Sequence, residues 1–143
     1  MPVLDIKTIL ICGTLLNMLL CLSMFMFWRS QKTYPGFGQW TACEFLVAVT
    51  YILVALRGVI PDFFSIVLMN ALAGWASFLR FEGIKRFVDA GYSGRAGYLL
   101  PICLLAVAGF FTYIHDSAAI RTLIISLFMT FFVMWASYLL LRK

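Results

Sequence analysis

One carboxylate, Glu44, is the only charged residue in an apolar stretch that runs from position 40 to position 56. A carboxylate inside a membrane can couple protons or bind a cationic substrate, as in small multidrug exporters, and it can also form an ion pair near a helix end. Glu44 lies about one turn inside its stretch, where the long side chain of Arg29 or Arg80 can reach it. We therefore favour the ion pair, and proton or cation coupling stays open.

Two amides, Asn17 and Asn70, lie near the centres of two other apolar stretches. If these stretches cross a membrane in the same direction, the two amides lie at matching depth. A side-chain amide in hydrocarbon needs a hydrogen-bond partner, and a bond between helices contributes about 0.6 kcal/mol on average. We favour a role in helix packing, with a ligand contact as the alternative.

Charged or titratable groups also collect at the ends of the apolar stretches that lie opposite the end near Glu44. We expect them to form a mutually paired polar cap or the rim of a ligand pocket, because buried charges require partners. A lone histidine is weak support for a metal site or a pH sensor. The residues of this predicted cap are Asp5, Arg57, Asp62, His115, Asp116 and Arg121.

No phosphate-binding loop, metal-ligand cluster or nucleophile and base pair is visible in the sequence, so we expect no catalytic residue, metal or cofactor. The four cysteines show no metal-binding spacing. We interpret them as small apolar packing residues.

Transmembrane helices must position these groups. A content of 64% hydrophobic and 12% charged residues is not that of a soluble domain. Residues 8–28 carry no charge over 21 residues, which at 1.5 Å per residue is enough to cross a hydrocarbon core of roughly 30 Å. We predict one all-α membrane domain over residues 1–143, a polytopic bundle with spans at 8–28, 40–56, 63–79, 96–114 and 122–141, the third helix continuing to about 88.

The sequence predicts two further local features. Gly58 suits a helix C-terminus and Pro61 suits the first turn of the next helix, so we expect a tight hairpin between the second and third spans. In the extension of the third helix, Glu82 and Arg86 are a favourable i,i+4 pair on the polar faces that the apolar residues leave.

The distribution of Lys and Arg predicts the orientation of the bundle. Eight basic residues lie on one side of the predicted spans and three on the other. Because short cytoplasmic loops retain positive charge, we expect the N-terminus outside and the C-terminus in the cytoplasm. The net charge of +5 therefore reports topology, and we expect no nucleic-acid partner.

Several short strings resemble the N-terminal membrane sensor modules of bacterial GGDEF-type diguanylate cyclases. They are Leu-Asp-Ile-Lys-Thr at 4–8, Phe-Trp-Arg at 27–29, Tyr-Pro-Gly-Phe at 34–37 and Leu-Arg-Gly-Val-Ile-Pro-Asp-Phe at 56–63. The resemblance implies a multi-pass protein of the bacterial inner membrane, further spans after the fifth, and a cytoplasmic domain that dimerises and condenses two GTP into cyclic di-GMP. The chain contains no GG[DE]EF sequence, so no cyclase activity is assigned to these residues.

Three functional hypotheses follow. The first is a signal-input module in the lipid bilayer that receives a small or lipophilic ligand and regulates a cytoplasmic output domain. The second is a small proton- or cation-coupled transporter that uses Glu44. The third is a structural membrane anchor.

Overall fold

The structure, a computed structural model, describes residues 6–88, 99–114 and 117–142, and at positions 6, 7, 100, 101, 118 and 121 it describes the backbone alone. Helix accounts for 87% of the structure, and no strand occurs within these ranges. The all-α class predicted from the sequence is confirmed.

The helices follow the apolar stretches. They are α1 (Ile6–Ser30), α2 (Phe37–Ala55), α3 (Met69–Phe87), α4 (Leu99–Tyr113) and α5 (Ala118–Leu141), with a π-helical segment, Phe63–Leu68, leading directly into α3. Four helical segments are long and apolar enough to cross a membrane: Thr8–Ser30, Phe37–Ala55, Phe63–Phe87 and Thr122–Leu141. Helix α4 has 15 residues and rises about 22 Å, less than a hydrocarbon core of roughly 30 Å.

A tight turn joins α2 to the π-helical segment. Gly58 has a φ of 90°, which the chain can adopt there because glycine has no Cβ. The carbonyl of Pro61 accepts a hydrogen bond from the amide of Phe64 at 3.0 Å, so Pro61 lies in the first turn of the next helix. The predicted hairpin between the second and third spans is present, and α2 packs along α3.

Helix α3 is the centre of the bundle, because α2, α4 and α5 all pack against it, whereas α1 packs on α2. Rings join α3 to α5: Phe78 lies 6.1 Å from Phe132, and Phe81 lies 6.1 Å from Trp135, between ring centroids. Since both partners advance together along the two helices, α5 runs parallel to α3. The C-terminal ends of α3 and α5 therefore lie at the same end of the bundle.

That end also holds the end of α1 and the start of α2. The rings of Phe27 and Phe37 are 5.7 Å apart, and those of Trp40 and Phe87 are 6.0 Å apart. We call it the basic end, because the basic residues of the described helix ends and of the loop after α1 collect there: Arg29, Lys32, Lys85, Arg86 and Arg142.

The start of α2 is fixed by a close approach of two glycines. Gly36 has a φ of 95° and directly precedes the helix. A Cβ at Gly36 would overlap the carbonyl oxygen of Gly83, and a Cβ at Gly83 would overlap the Trp40 ring. Helix α2 begins at Phe37, directly after this close approach, which places Glu44 about two turns inside the helix.

Gly83→Ala should therefore destabilise the bundle, because its methyl group has no room beside Trp40 and Gly36. Overpacking of this kind costs roughly 1–3 kcal/mol. The matched control is Gly109→Ala, also within a helix, where the nearest atom to a new Cβ is Val67 Cγ1 at 3.9 Å. Thermal unfolding in detergent, followed by circular dichroism, measures both. Equal melting temperatures for the two variants would contradict the close approach.

Candidate functional site

Glu44 forms an ion pair with Arg80 across the α2–α3 contact. Arg80 Nη2 donates a hydrogen bond to Glu44 Oε1 at 3.0 Å. The Glu44 side chain is 16% exposed and that of Arg80 is 53% exposed. The ion pair favoured by the sequence is thus present, and its partner is Arg80, whereas Arg29 is exposed at the end of α1.

The backbone of Arg80 is also held by α2. Trp40 Nε1 donates a hydrogen bond to the carbonyl oxygen of Arg80 at 3.3 Å. A charge within an apolar helix is costly unless it is paired, so the ion pair offsets part of the cost of placing both charges here. The two contacts together fix the relative position of α2 and α3 near the basic end.

A cavity of about 420 Å³ opens beside this ion pair, and we call it the polar cavity. Helices α1, α2, α3 and α5 all contribute to its wall. Its lining residues are Asn17, Cys43, Glu44, Val47, Thr50, Tyr51, Ala73, Ala76, Ser77, Arg80 and Met129.

The polar cavity offers hydrogen-bonding groups with no net charge. The charges of Glu44 and Arg80 cancel, and Thr50 and Ser77 add hydroxyl groups. Each hydroxyl donates to a carbonyl of its own helix, at 2.8 Å and 3.0 Å respectively, so its oxygen presents acceptor lone pairs. This arrangement suits a small molecule that carries hydrogen-bond donors and no net charge.

The two amides near the centres of α1 and α3 differ in what they line. Asn17 lies in the wall of the polar cavity, and its nitrogen donates to the carbonyl of Gly13 at 2.8 Å. Asn70 donates to the carbonyl of Ile66 at 2.7 Å. Both amide nitrogens therefore bond within their own helices, and only Asn17 is placed to contact a ligand in this cavity.

A second polar cluster lies at the basic end, around a buried carboxylate. The Glu82 side chain is fully buried and lies 4.0 Å from Arg86 Nε. With the Gln39 amide oriented to satisfy both its atoms, Arg86 Nη1 donates to Gln39 Oε1 at 2.6 Å, and Gln39 Nε2 donates to the carbonyl of Gly36 at 3.3 Å. The i,i+4 pair of Glu82 and Arg86 agrees with the sequence.

The burial of Glu82 corrects the sequence pattern, which predicted this residue on the polar face of an extended third helix. The chain between α1 and α2 crosses α3 at Gly83 and covers that face. The Tyr34 and Trp40 rings both pack on Phe87, at 5.8 Å and 6.0 Å. Phe87 itself remains 44% exposed.

The predicted cap at the other end is only partly described. Arg57 and Asp62 are both exposed, and no ion pair joins them in the described part of the chain. Asp5, His115 and Asp116 lie outside the described residues, and the side chain of Arg121 is not among those described. The polar cap stays a prediction.

The cysteines are all free, and their surroundings differ. Cys43 is 1% exposed and lines the polar cavity, so it packs in the bundle as expected. Cys12 and Cys103 are exposed on α1 and α4, so their side chains do not pack within this chain.

Comparison with known proteins finds no relative of this chain. No protein-family model, curated protein or solved structure matches this chain. The resemblance to diguanylate cyclase sensors is therefore a proposal, and the functional interpretation depends on the geometry of the chain itself.

Most residues of the polar cavity were not predicted from the sequence. Its wall on α2 includes Cys43, Val47 and Thr50, and its wall on α3 includes Ala73 and Ser77. Both sets have the three- and four-residue spacing of one helix face. Small and polar residues at this spacing on two adjacent spans were the available signal.

A double-mutant cycle tests the Glu44–Arg80 pair. Glu44→Gln and Arg80→Gln should each lower the free energy of unfolding by roughly 1–3 kcal/mol, because each leaves a charge without its partner. The double variant should lose less than the sum of the two. Arg142→Gln, at an exposed residue after α5, is the control and should change stability by less than about 0.5 kcal/mol. Strict additivity would show that the two side chains do not interact.

Proposed function

We propose that the chain is a membrane-embedded signal-input module whose ligand binds in the polar cavity. One observation carries the proposal: α1, α2, α3 and α5 all line this cavity, and Met129 places α5 in its wall. Helix α5 ends at the basic end, from which the chain continues at Arg142. A ligand there contacts both the central hairpin and the helix that leads out of the bundle.

The proposed topology places the basic end in the cytoplasm and has the chain cross the membrane five times. The excess of Lys and Arg at that end supports this orientation. Helix α4 runs back between α3 and α5 and is the fourth of the five proposed crossings. The resemblance to cyclase sensors adds the proposal of a bacterial inner membrane.

The proposed ligand is small, and it is polar without net charge or amphipathic. A volume of about 420 Å³ is within the usual range of small-molecule sites, about 300–1,000 Å³. A ligand that binds one packing of α5 against the hairpin better than another shifts the bundle toward the first. Displacements of about 1–2 Å at such helix contacts are a common means of signalling.

The proposed output domain is a diguanylate cyclase domain, which acts as a homodimer. This part of the proposal comes from the resemblance alone. The gene sequence downstream of Lys143 tests it directly: a GGDEF domain in the same reading frame supports it, and a stop codon there would favour the anchor or the transporter.

Ala73→Phe tests whether the polar cavity controls the output. The ring fills part of the cavity and should change output at least about fivefold, the lower range of allosteric coupling. Cyclic di-GMP is measured in cells that carry the chain joined after Lys143 to a GGDEF catalytic domain. Ala106→Phe, on the exposed surface of α4, is the matched control. Equal output from both variants would refute the proposed role of the cavity.

A small transporter is the second candidate, because Glu44 is a carboxylate in the wall of a membrane cavity. A transport cycle requires the carboxylate to bind and release a proton or a cation. Glu44 is already paired with Arg80, which disfavours such a cycle. We therefore expect no coupled flux of protons and ethidium in proteoliposomes that contain the chain. Proton-coupled ethidium flux that Glu44→Gln abolishes would replace the signal-input proposal.

A further inference from the structure

A second depression, an apolar groove, lies between α1 and α2 on the face of α2 opposite the polar cavity. Its volume is about 690 Å³, and its wall includes Met18, Phe25 and Trp28 of α1 and Ala42 and Val49 of α2. Thr41 also lines it, but its hydroxyl donates to the carbonyl of Phe37 at 3.1 Å. The groove thus consists mainly of hydrocarbon and ring surface.

The length of the groove along α1 matches the thickness of one membrane leaflet. On α1 it runs from Met18 to Trp28, which is about 15 Å at 1.5 Å per residue. This is half of a hydrocarbon core of roughly 30 Å. Trp28 closes the groove toward the basic end, where a tryptophan at the membrane interface is expected.

The charged residues that follow Trp28 in the loop before α2 and at the end of α1 are cations. Arg29 and Lys32 are both exposed, and the sequence has no acidic residue between Asp5 and Glu44. Glu44 is held by Arg80. A second copy of the chain meeting this face about a two-fold axis would therefore place like charges together, whereas an anionic headgroup complements them.

We propose that this groove binds an anionic phospholipid: one acyl chain lies between α1 and α2, and the headgroup phosphate binds Arg29 and Lys32. The site differs from the polar cavity and does not depend on the proposed function. Helix α1 has no buried residue in its most apolar stretch, so a lipid in the groove supplies packing that the chain alone does not.

Native mass spectrometry of the whole chain in detergent tests the proposal, with phosphatidylglycerol and phosphatidylcholine of identical acyl chains as probes. We expect the wild-type chain to bind phosphatidylglycerol at least about fivefold more tightly. Arg29→Gln with Lys32→Gln should weaken that binding by about fivefold for each cation removed. The charge control, Arg142→Gln, should bind as the wild type does.

Ala42→Phe fills the groove and should weaken the binding of both lipids, whereas Ala106→Phe should have no effect. If Ala42→Phe fails to fold, the charge variants decide, because they leave the groove intact. Equal affinity of the wild-type chain for the two lipids, or unchanged phosphatidylglycerol binding in the double charge variant, would overturn the proposal. So would a dimer that Ala42→Phe dissociates without loss of lipid, since the occupant would then be a second copy.

Discussion

Arg80 is the point at which α2 holds α3, and the rest of the bundle depends on that contact. Its guanidinium pairs with Glu44 and its carbonyl accepts a hydrogen bond from Trp40, so α2 binds both the side chain and the backbone. Each charge would be costly within an apolar helix without its partner, so the pair stabilises this packing of α2 on α3. Helix α3 is also the helix on which α4 and α5 pack. The position of α3 therefore determines the positions of α4 and α5. The polar cavity lies beside the Glu44–Arg80 contact that holds α3 against α2.

The contacts of α3 differ in kind on its two sides. Toward α2 they are polar and directional, and Gly83 lies against the chain that precedes α2. Toward α5 the core consists of packed rings, such as Phe81 and Phe132 with centroids 5.3 Å apart. Ring contacts of this kind contribute about 0.5–1.5 kcal/mol beyond their buried area and tolerate several geometries. A change in the polar cavity would thus displace α5 at less cost than α2, which suits α5 to the output role that we propose for it.

The sequence predicted the helices well, because long charge-free stretches leave few alternatives in a membrane and because Gly58 and Pro61 mark one hairpin turn. It predicted the Glu44 pair with Arg80 as one of two partners. It was wrong about the surroundings of Glu82, since a helical pattern treats α3 as an isolated helix and cannot show that the chain around Gly36 crosses it. The polar cavity was missed for the same reason: its wall is polar only when the faces of several helices are combined.

The distance between the exposed ends of α3 and α5 tests the central claim most directly, which is that occupancy of the polar cavity is transmitted to α5. Spin labels on cysteines introduced at Phe87 and Arg142 give this distance by double electron–electron resonance in lipid nanodiscs. The four native cysteines are replaced by alanine in this background. With the cavity filled by Ala73→Phe, the account predicts a shift of about 1–2 Å, as in other helix displacements. An identical distance distribution with the cavity open and filled would contradict it.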